Sequence, residues 1–206
     1  FGERKYKTIV NGVETSNFRY RKEWRDEVRK MFEIRKDAIL IGTVGRQTDV
    51  KNPLFLIDIF KEFYVSNRNS YLIMVGGGER RSDIQKKVKE FGLENNVVLV
   101  DPTSDVNKIY SAMDYFVLPS ILEGLPTVAI EAQVSGLPIF ISSGITDEVK
   151  ITSLVQKIRL TEGSKCWAKK ISDTKLNVLR DKVNIDDRYD IVNVTKDLEA
   201  WYEEIL

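Results

Sequence analysis

Two glutamates, Glu123 and Glu131, stand around the start of a predicted helix with seven residues between them. Glu131 lies in a stretch that is apolar on nearly every side of that helix, so we expect its carboxylate to be buried. An ionised carboxylate in such a place is costly unless it accepts hydrogen bonds. We therefore expect a donor at Glu131, either a ribose diol or a basic side chain, and a structural salt bridge is the alternative. Glu123 lies in the preceding loop, so both acids can face one cleft.

The start of the same helix is predicted to bind an anion. Pro126 suits the first helical position, because its missing N–H costs nothing there. The free N–H groups of Gly124, Leu125, Thr127 and Val128 would then point out of the helix start. They would lie at the positive end of the helix dipole. Such an end holds phosphates and carboxylates.

A second candidate loop covers residues 42–52, where a glycine turn ending at Gly45 is followed by Arg46 and Lys51. Glycine allows close approach of a ligand to the backbone, and the two cations can converge on the oxygens of a diphosphate. An equally good interpretation of this loop is a turn with exposed cations and no ligand.

The run Gly76-Gly77-Gly78 follows another predicted strand and invites comparison with the dinucleotide fingerprint G-x-G-x-x-G. Its third glycine is replaced by Arg81, which disfavours close packing of strand and helix. Asp101, after the next strand, could still bind a ribose, so a nicotinamide site remains open. A glycine-rich turn without that role is the favoured interpretation.

The composition excludes several classes of function. The 206 residues carry a net charge of +1, which gives no reason to expect nucleic-acid binding. Histidine is absent and there is one cysteine, Cys166, so we expect no metal site and a reducing, cytoplasmic compartment. No apolar run approaches the length of a membrane span, and the start of the chain does not resemble a signal peptide.

Short apolar runs alternate with amphipathic segments, which predicts an α/β fold with a doubly wound parallel sheet, Rossmann-like in type. The predicted strands are residues 7–10, 38–44, 71–75, 97–100, 115–118, 138–142 and 154–158. The predicted helices are residues 21–32, 52–66, 82–91, 105–113, 126–135, 164–172 and 189–205.

These elements predict three parts. Residues 1–36 form a lead-in strand and helix, residues 37–175 form the nucleotide-binding domain, and residues 176–206 form a C-terminal helical extension. The lead-in holds more basic than acidic residues, mostly interleaved along its helix. We interpret them as a solvated helix face.

The order of motifs resembles the C-terminal, donor-binding domain of GT-B-fold retaining glycosyltransferases of family four. The resemblance rests on residues 9–15, Val44-Gly45-Arg46 with Lys51-Asn52, the run at Gly76, residues 110–120, and the E-x7-E motif from Glu123 to Glu131. The segment at residues 143–148 and the residues after it resemble the exopolysaccharide and capsule subgroup.

The resemblance assigns roles to matching residues. Arg46 and Lys51 resemble the pair that grips the diphosphate of a nucleotide sugar, Glu131 the acid that binds the ribose, and Glu123 the acid near the sugar hydroxyls. Backbone groups of Leu122, Glu123, Gly124, Leu125, Pro126 and Thr127 resemble the loop over the phosphates and the sugar. Gly45 and Gly76 belong to the glycine turns of the site, and Asp101, Pro102 and Thr103 resemble the loop beside the base.

The implied reaction is transfer of a hexosyl group, with retention, from a nucleoside diphosphate sugar to a polysaccharide or lipid-linked acceptor. A UDP-sugar is the expected donor, and neither a metal nor another cofactor is expected. The resemblance further implies an N-terminal acceptor-binding domain outside this chain, an isolated domain that turns over little or nothing, and peripheral membrane association of the full enzyme. Alternatives are a sugar-nucleotide epimerase of the same fold and a non-catalytic nucleotide-binding module.

Overall fold

The computed structural model describes residues 6–176 and 179–205, and a parallel β-sheet forms its centre. Its strands are continuous apolar runs with buried side chains, as expected for a sheet covered on both faces. They are β1 (Ile39–Val44), β2 (Ser70–Val75), β3 (Val97–Val100), β4 (Tyr115–Leu118), β5 (Ile139–Ser142) and β6 (Val155–Ile158).

All neighbouring strands of this sheet run parallel, in the order β3-β2-β1-β4-β5-β6. This is the strand order of a doubly wound nucleotide-binding fold, in which the direction of winding reverses between β1 and β4. The predicted fold class is confirmed, and these six strands begin and end within one residue of their predicted bounds.

Helices follow the strands in alternation, and each predicted helix is present to within two residues at either end. One additional short helix, α1, was not predicted. The helices are α1 (Thr15–Phe18), α2 (Lys22–Met31), α3 (Pro53–Ser66), α4 (Arg81–Glu90), α5 (Val106–Ala112), α6 (Thr127–Val134), α7 (Gly163–Asp173) and α8 (Ile191–Ile205).

Alternate residues of each strand contribute to two separate cores, one on each face of the sheet. Phe116 of β4 packs with residues of α2, α5 and α6 on one face. Its neighbour Val117 packs with residues of α3, α4 and α7 on the other face. This alternation follows from the pleat of a strand, which directs successive side chains to opposite sides.

Two basic side chains of α2 are buried, and this corrects in part the interpretation of the lead-in as a solvated face, which holds for Lys22 and Lys30. Arg29 is only 2% exposed, and Arg25 is mostly buried. Their guanidinium groups bind the two carboxylate oxygens of Asp114, at 2.6 Å for Arg29 and 2.7 Å for Arg25. Both arginines also donate to the carbonyl of Ala112 at the end of α5. The burial of these two arginines could not be predicted, because sequence spacing does not show a partner more than eighty residues away.

A third arginine, Arg180, reaches the same helix end from the C-terminal part of the chain. Its side chain donates five hydrogen bonds, to the carbonyls of Tyr110, Ser111, Met113 and Ser135 and to the Ser135 hydroxyl. These bonds occupy every donor that a guanidinium offers. Burial lowers the pKa of Arg180 to about 9, so the group stays charged at neutral pH.

The predicted strand at residues 7–10 does not form. In the described part of the chain these residues pair with no strand, and they run beside α8, where Lys7 Nζ donates to the backbone carbonyl of Asp197. Just after them, Val13 makes an isolated parallel bridge with Asp190, the residue before α8. An edge position beside a helix offers no ladder of backbone groups to pair with. In the described residues, no helix is long and apolar enough to cross a bilayer.

We expect Asp114→Asn to lower the free energy of unfolding by about 3 kcal/mol, because it removes the counter-charge of the buried Arg29. The new amide would also direct N–H groups toward donors, including the backbone N–H of Leu40. Equilibrium unfolding in urea measures the change. Asp26→Asn is the matched control, since Asp26 pairs with Lys22 on the exposed side of α2 and should leave the midpoint unchanged. Equal midpoints for the two variants would contradict a structural role for Asp114.

Candidate functional site

The loops that follow β1, β2, β3 and β4 meet at the carboxyl ends of the strands, beside the reversal in strand order. Ligands of open α/β sheets bind at this place. The β1 and β4 loops are tied together, since the N–H of Ile121 donates to the carbonyl of Val50 at 2.8 Å and the Asn52 amide donates to the carbonyl of Pro119. The sequence therefore brings its two main candidate loops into contact.

The β1 and β2 loops approach each other closely enough to require glycine. Gly76 has a φ of 129°, and a Cβ there would lie 2.1 Å from the carbonyl oxygen of Gly45. Between the loops lies Gln47, which is 3% exposed and donates from its backbone to Gly77 and from its side chain to Gly76. The glycine run thus serves the close packing of two loops, and Gln47 was not singled out from the sequence.

These loops enclose a cavity of about 490 Å³ with mainly apolar walls. Its walls include Gly45, Arg46, Gly76 and Thr103 among the predicted residues, together with Val44, Val75, Gly77, Gly78, Pro102 and Val106. Backbone groups and small side chains predominate in this lining. A flat, mostly apolar group such as a nucleobase would suit it.

Arg46 is exposed at the edge of this cavity. Its side chain makes no hydrogen bond or ion pair with any other residue in the described part of the chain. A guanidinium has five donors in a planar fork, so this one is available to an anion.

Lys51, by contrast, is paired. Lys51 ends a single 3₁₀ turn, Asp49–Lys51, and its Nζ lies 2.5 Å from Oε1 of Glu123. Ser120 donates to the same oxygen at 2.7 Å, and Ser142 in turn donates to the Ser120 carbonyl. The Glu123 side chain is only 10% exposed, so this short pair is shielded from solvent. Both Lys51 and Arg46 also line one small cavity, so the predicted cations are neighbours.

The loop before α6 lies partly in the open. Leu122 and Gly124 are exposed, Leu125 and Thr127 are half-buried, and Pro126 is buried. Pro126 was predicted as the first helical residue, but it is the cap before the helix. Its backbone is extended, with ψ at 105°, while its carbonyl already accepts from the N–H of Ala129.

No side chain caps the start of α6. In the described residues, the N–H groups of Thr127 and Val128 donate to no backbone acceptor. They are free for an anion at the positive end of the helix.

Glu131 has a donor, but it is neither a basic side chain nor part of a salt bridge. The hydroxyl of Tyr110 on α5 donates to its Oε2 at 2.8 Å. Burial raises the pKa of the Glu131 carboxyl above its usual range, and the Tyr110 hydrogen bond acts in the opposite direction. This partner could not be predicted from the sequence, where Tyr110 is one of several apolar residues of its helix.

Asp101 stands apart from the cavity. Its side chain is 89% exposed, and its carboxylate lies 3.3 Å from Nη2 of Arg81. Arg81 also donates to the carbonyls of Gly76 and Leu99. Arg81, at the third position of the fingerprint, thus fills the space beside the start of α4 where a dinucleotide fingerprint needs glycine. Pro102 and Thr103 reach the cavity from the same loop, whereas the Asp101 side chain does not.

Comparison with known proteins gives a consistent picture. The family model "Glycosyl transferases group 1" matches residues 25–153, more than half of the chain. The chain belongs to the glycosyl transferases group 1 family.

Several curated relatives of this group 1 domain are about one-third identical to it. EpsF of Bacillus subtilis, named as a glycosyltransferase, is 31% identical over 80% of this chain and 43% of its own length. A UDP-Gal:α-D-GlcNAc-diphosphoundecaprenol α-1,3-galactosyltransferase of Escherichia coli is 31% identical over 68% and 37%. CapH of Staphylococcus aureus, a capsular polysaccharide biosynthesis glycosyltransferase, is 30% identical over 97% and 54%. The group 1 domain therefore spans roughly half or less of the length of these relatives.

Solved structures share the fold of the group 1 domain. HepE of Anabaena, crystallised in complex with UDP, superposes with a TM-score of 0.79 at 17% identity, over 96% of this chain and 57% of that one. The C-terminal domain of a group 1 family protein, LpcC of Francisella tularensis, superposes with a TM-score of 0.64 at 22% identity. That match covers 92% of this chain and 97% of the LpcC domain.

We expect Gly76→Ala to destabilise the group 1 domain by about 2 kcal/mol or more, because its backbone conformation and the nearby Gly45 carbonyl both exclude a Cβ. Thermal unfolding measures the loss. The matched control is Gly77→Ala, whose Cβ would meet only Pro102 at 3.7 Å, an ordinary contact. If both variants unfold at the same temperature, the close contact between the two loops is not required.

Proposed function

We propose that this chain is the donor-binding domain of a glycosyltransferase that takes its sugar from a nucleoside diphosphate sugar, and that the nucleotide is UDP. One arrangement carries the proposal: Arg46, which has no partner in the described chain, lies at the edge of a glycine-walled cavity, next to Lys51 and to the loop before the uncapped α6. Cations and free N–H groups directed toward one place bind a diphosphate. The complex of HepE with UDP and the donor in the name of the E. coli relative support this choice of nucleotide.

Each site residue then has a role in the proposed complex. Arg46, Lys51 and the start of α6 bind the diphosphate and stabilise the charge that develops on it as the bond to the sugar breaks. Such preorganised donors often contribute about 3 kcal/mol each to a transition state. Glu123 binds hydroxyls of the sugar, and Glu131 binds the ribose diol. The base lies against the loop that holds Pro102 and Thr103.

The reaction of the full enzyme is proposed as hexosyl transfer with retention of configuration, as in family four. The acceptor is proposed to be a growing polysaccharide or a lipid-linked saccharide, bound by an N-terminal domain outside this chain. The polysaccharide biosynthesis names of CapH and of a Salmonella typhi relative support that class of acceptor. By itself the domain is proposed to bind nucleotide without turnover. We place the full enzyme in the cytoplasm, at the membrane surface.

The proposed donor site works without a metal. Arg46 and Lys51 supply the positive charge that a divalent ion supplies in other transferases. In the described residues, no three acidic, histidine or cysteine side chains are grouped to hold an ion. A GT-B epimerase or a non-catalytic module would need the same nucleotide site, but the named relatives are glycosyltransferases.

We expect saturating UDP to stabilise the domain by about 2.7 kcal/mol at a concentration one hundred times its Kd. GDP and ADP should bind less tightly, NAD should give no shift, and a chelator should leave the UDP shift unchanged. Differential scanning fluorimetry and calorimetric titration measure these effects. Binding of NAD with no response to any of the diphosphates would overturn the proposal.

Arg46→Ala should weaken UDP binding about tenfold, since a charge-assisted contact to phosphate is lost. The matched control is Arg35→Ala, which removes another exposed arginine just before β1, at the opposite end of the sheet. Similar losses in the two variants would show a general effect of charge and not a phosphate site.

Glu123→Gln should strengthen UDP binding about fivefold, because Lys51 no longer has a competing partner. The same change should reduce the advantage of a UDP-sugar over UDP, because the acid that binds the sugar is lost. Calorimetric titration of both ligands tests the two effects together. Glu94→Gln, at an exposed position without an ion pair in the described chain, controls for the change in net charge. Weaker UDP binding in Glu123→Gln alone would contradict the competition for Lys51.

A further inference from the structure

Tyr110 is a completely buried residue whose only polar side-chain atom is bound to Glu131, the acid proposed to bind the ribose. We propose that Tyr110 is a positioning residue, which fixes the carboxylate of Glu131 in the orientation that receives the two hydroxyls of a ribose. This inference rests on the proposed function, because it assumes that Glu131 binds the ribose of a nucleotide.

The direction of the hydrogen bond follows from what surrounds the phenol. Tyr110 has one hydroxyl proton and two neighbours, Oε2 of Glu131 at 2.8 Å and the carbonyl of Val128 at 3.2 Å. The carbonyl can only accept, and so can an ionised carboxylate. The shorter contact is charge-assisted and therefore the stronger of the two. The Tyr110 hydroxyl therefore donates its proton to the hydrogen bond with Glu131.

The phenol is itself held rigidly. Its ring packs edge-on against Phe18 and at a tilt against Phe116, with centroids 5.9 Å and 5.8 Å away. Its backbone carbonyl accepts from the buried Arg180. A donor fixed by rings on two elements and by a buried arginine loses little entropy when it binds, so it can set the orientation of a more mobile carboxylate.

The bound carboxylate keeps the capacity that a diol needs. Oε1 of Glu131 accepts no hydrogen bond from the described part of the chain, and Oε2 retains a lone pair beside the Tyr110 bond. Glu131 is half-buried, so its free edge is open to a ligand. A vicinal diol offers two donors at the spacing of the two carboxylate oxygens. Removal of the diol from the ligand, or of the phenol hydroxyl from the protein, should therefore affect the same interaction.

The test compares UDP with 2′,3′-dideoxy-UDP on the wild type and on Tyr110→Phe, by calorimetric titration. The wild type should bind UDP at least tenfold more tightly than the dideoxy ligand, since hydrogen bonds to a charged group are lost. Tyr110→Phe keeps both ring contacts. It should weaken the binding of UDP about tenfold and leave the affinity for the dideoxy ligand unchanged. In a Glu131→Ala background, the tyrosine substitution should have no further effect on UDP.

Each other outcome identifies what fails. Equal losses for both ligands, or no loss for UDP, would reduce Tyr110 to a structural role. If the wild type binds both ligands equally, Glu131 does not bind the diol, and the proposed function is unaffected. If the wild type binds neither ligand, the proposed function is wrong. If Tyr110→Phe does not fold, the same titrations are made with 3-fluorotyrosine at position 110. It keeps a more acidic hydroxyl, and a fall in the preference for UDP over the dideoxy ligand would contradict the inference.

Discussion

The carboxyl end of α5 places several backbone carbonyls inside the protein, and the rest of the structure is arranged to bind them. The last carbonyls of a helix have no partner within it, and buried carbonyls must be bonded. Here Arg25, Arg29 and Arg180 supply the donors, and Asp114 forms ion pairs with two of the three guanidinium groups. A cluster of this kind is costly to desolvate, so it persists because its geometry is complete. It fixes segments from both ends of the chain to the central sheet.

The same helix connects this cluster to the candidate site. Tyr110 lies on α5, its carbonyl is bound by Arg180, and its hydroxyl is bound to Glu131 on α6. Four elements therefore determine where one carboxylate points: the sheet, α5, α6 and the segment around Arg180. Gly136 reinforces the arrangement, since a Cβ there would lie 2.8 Å from the backbone of Arg180. A site residue held through a rigid chain of contacts is better defined than one on a loop alone.

The sequence was sufficient to predict the sheet, because strand and helix periods are local properties of ten or so residues. The sequence also predicts that Arg46, Lys51 and Glu123 lie at one edge of the sheet, since the carboxyl ends of parallel strands meet there. It did not predict the Tyr110 to Glu131 bond or the use of Arg29, because each depends on residues distant in sequence that only the packing brings together. The predicted strand at residues 7–10 failed for a related reason. Its apolar pattern is local, but a strand also needs a neighbour with free backbone groups.

The charged groups of the candidate site are paired with one another in a way that a diphosphate would have to change. Arg46 and Lys51 lie beside one small cavity, and two positive charges at such a place repel each other. Lys51 is paired with Glu123, and Ser120 holds the acid in place, whereas Arg46 has no ion-pair partner in the described part of the chain. A nucleotide diphosphate must then compete with Glu123 for Lys51. Under the proposed function, a nucleotide sugar would compensate Glu123 with its own hydroxyls, so the pair would favour the complete donor over the product nucleotide.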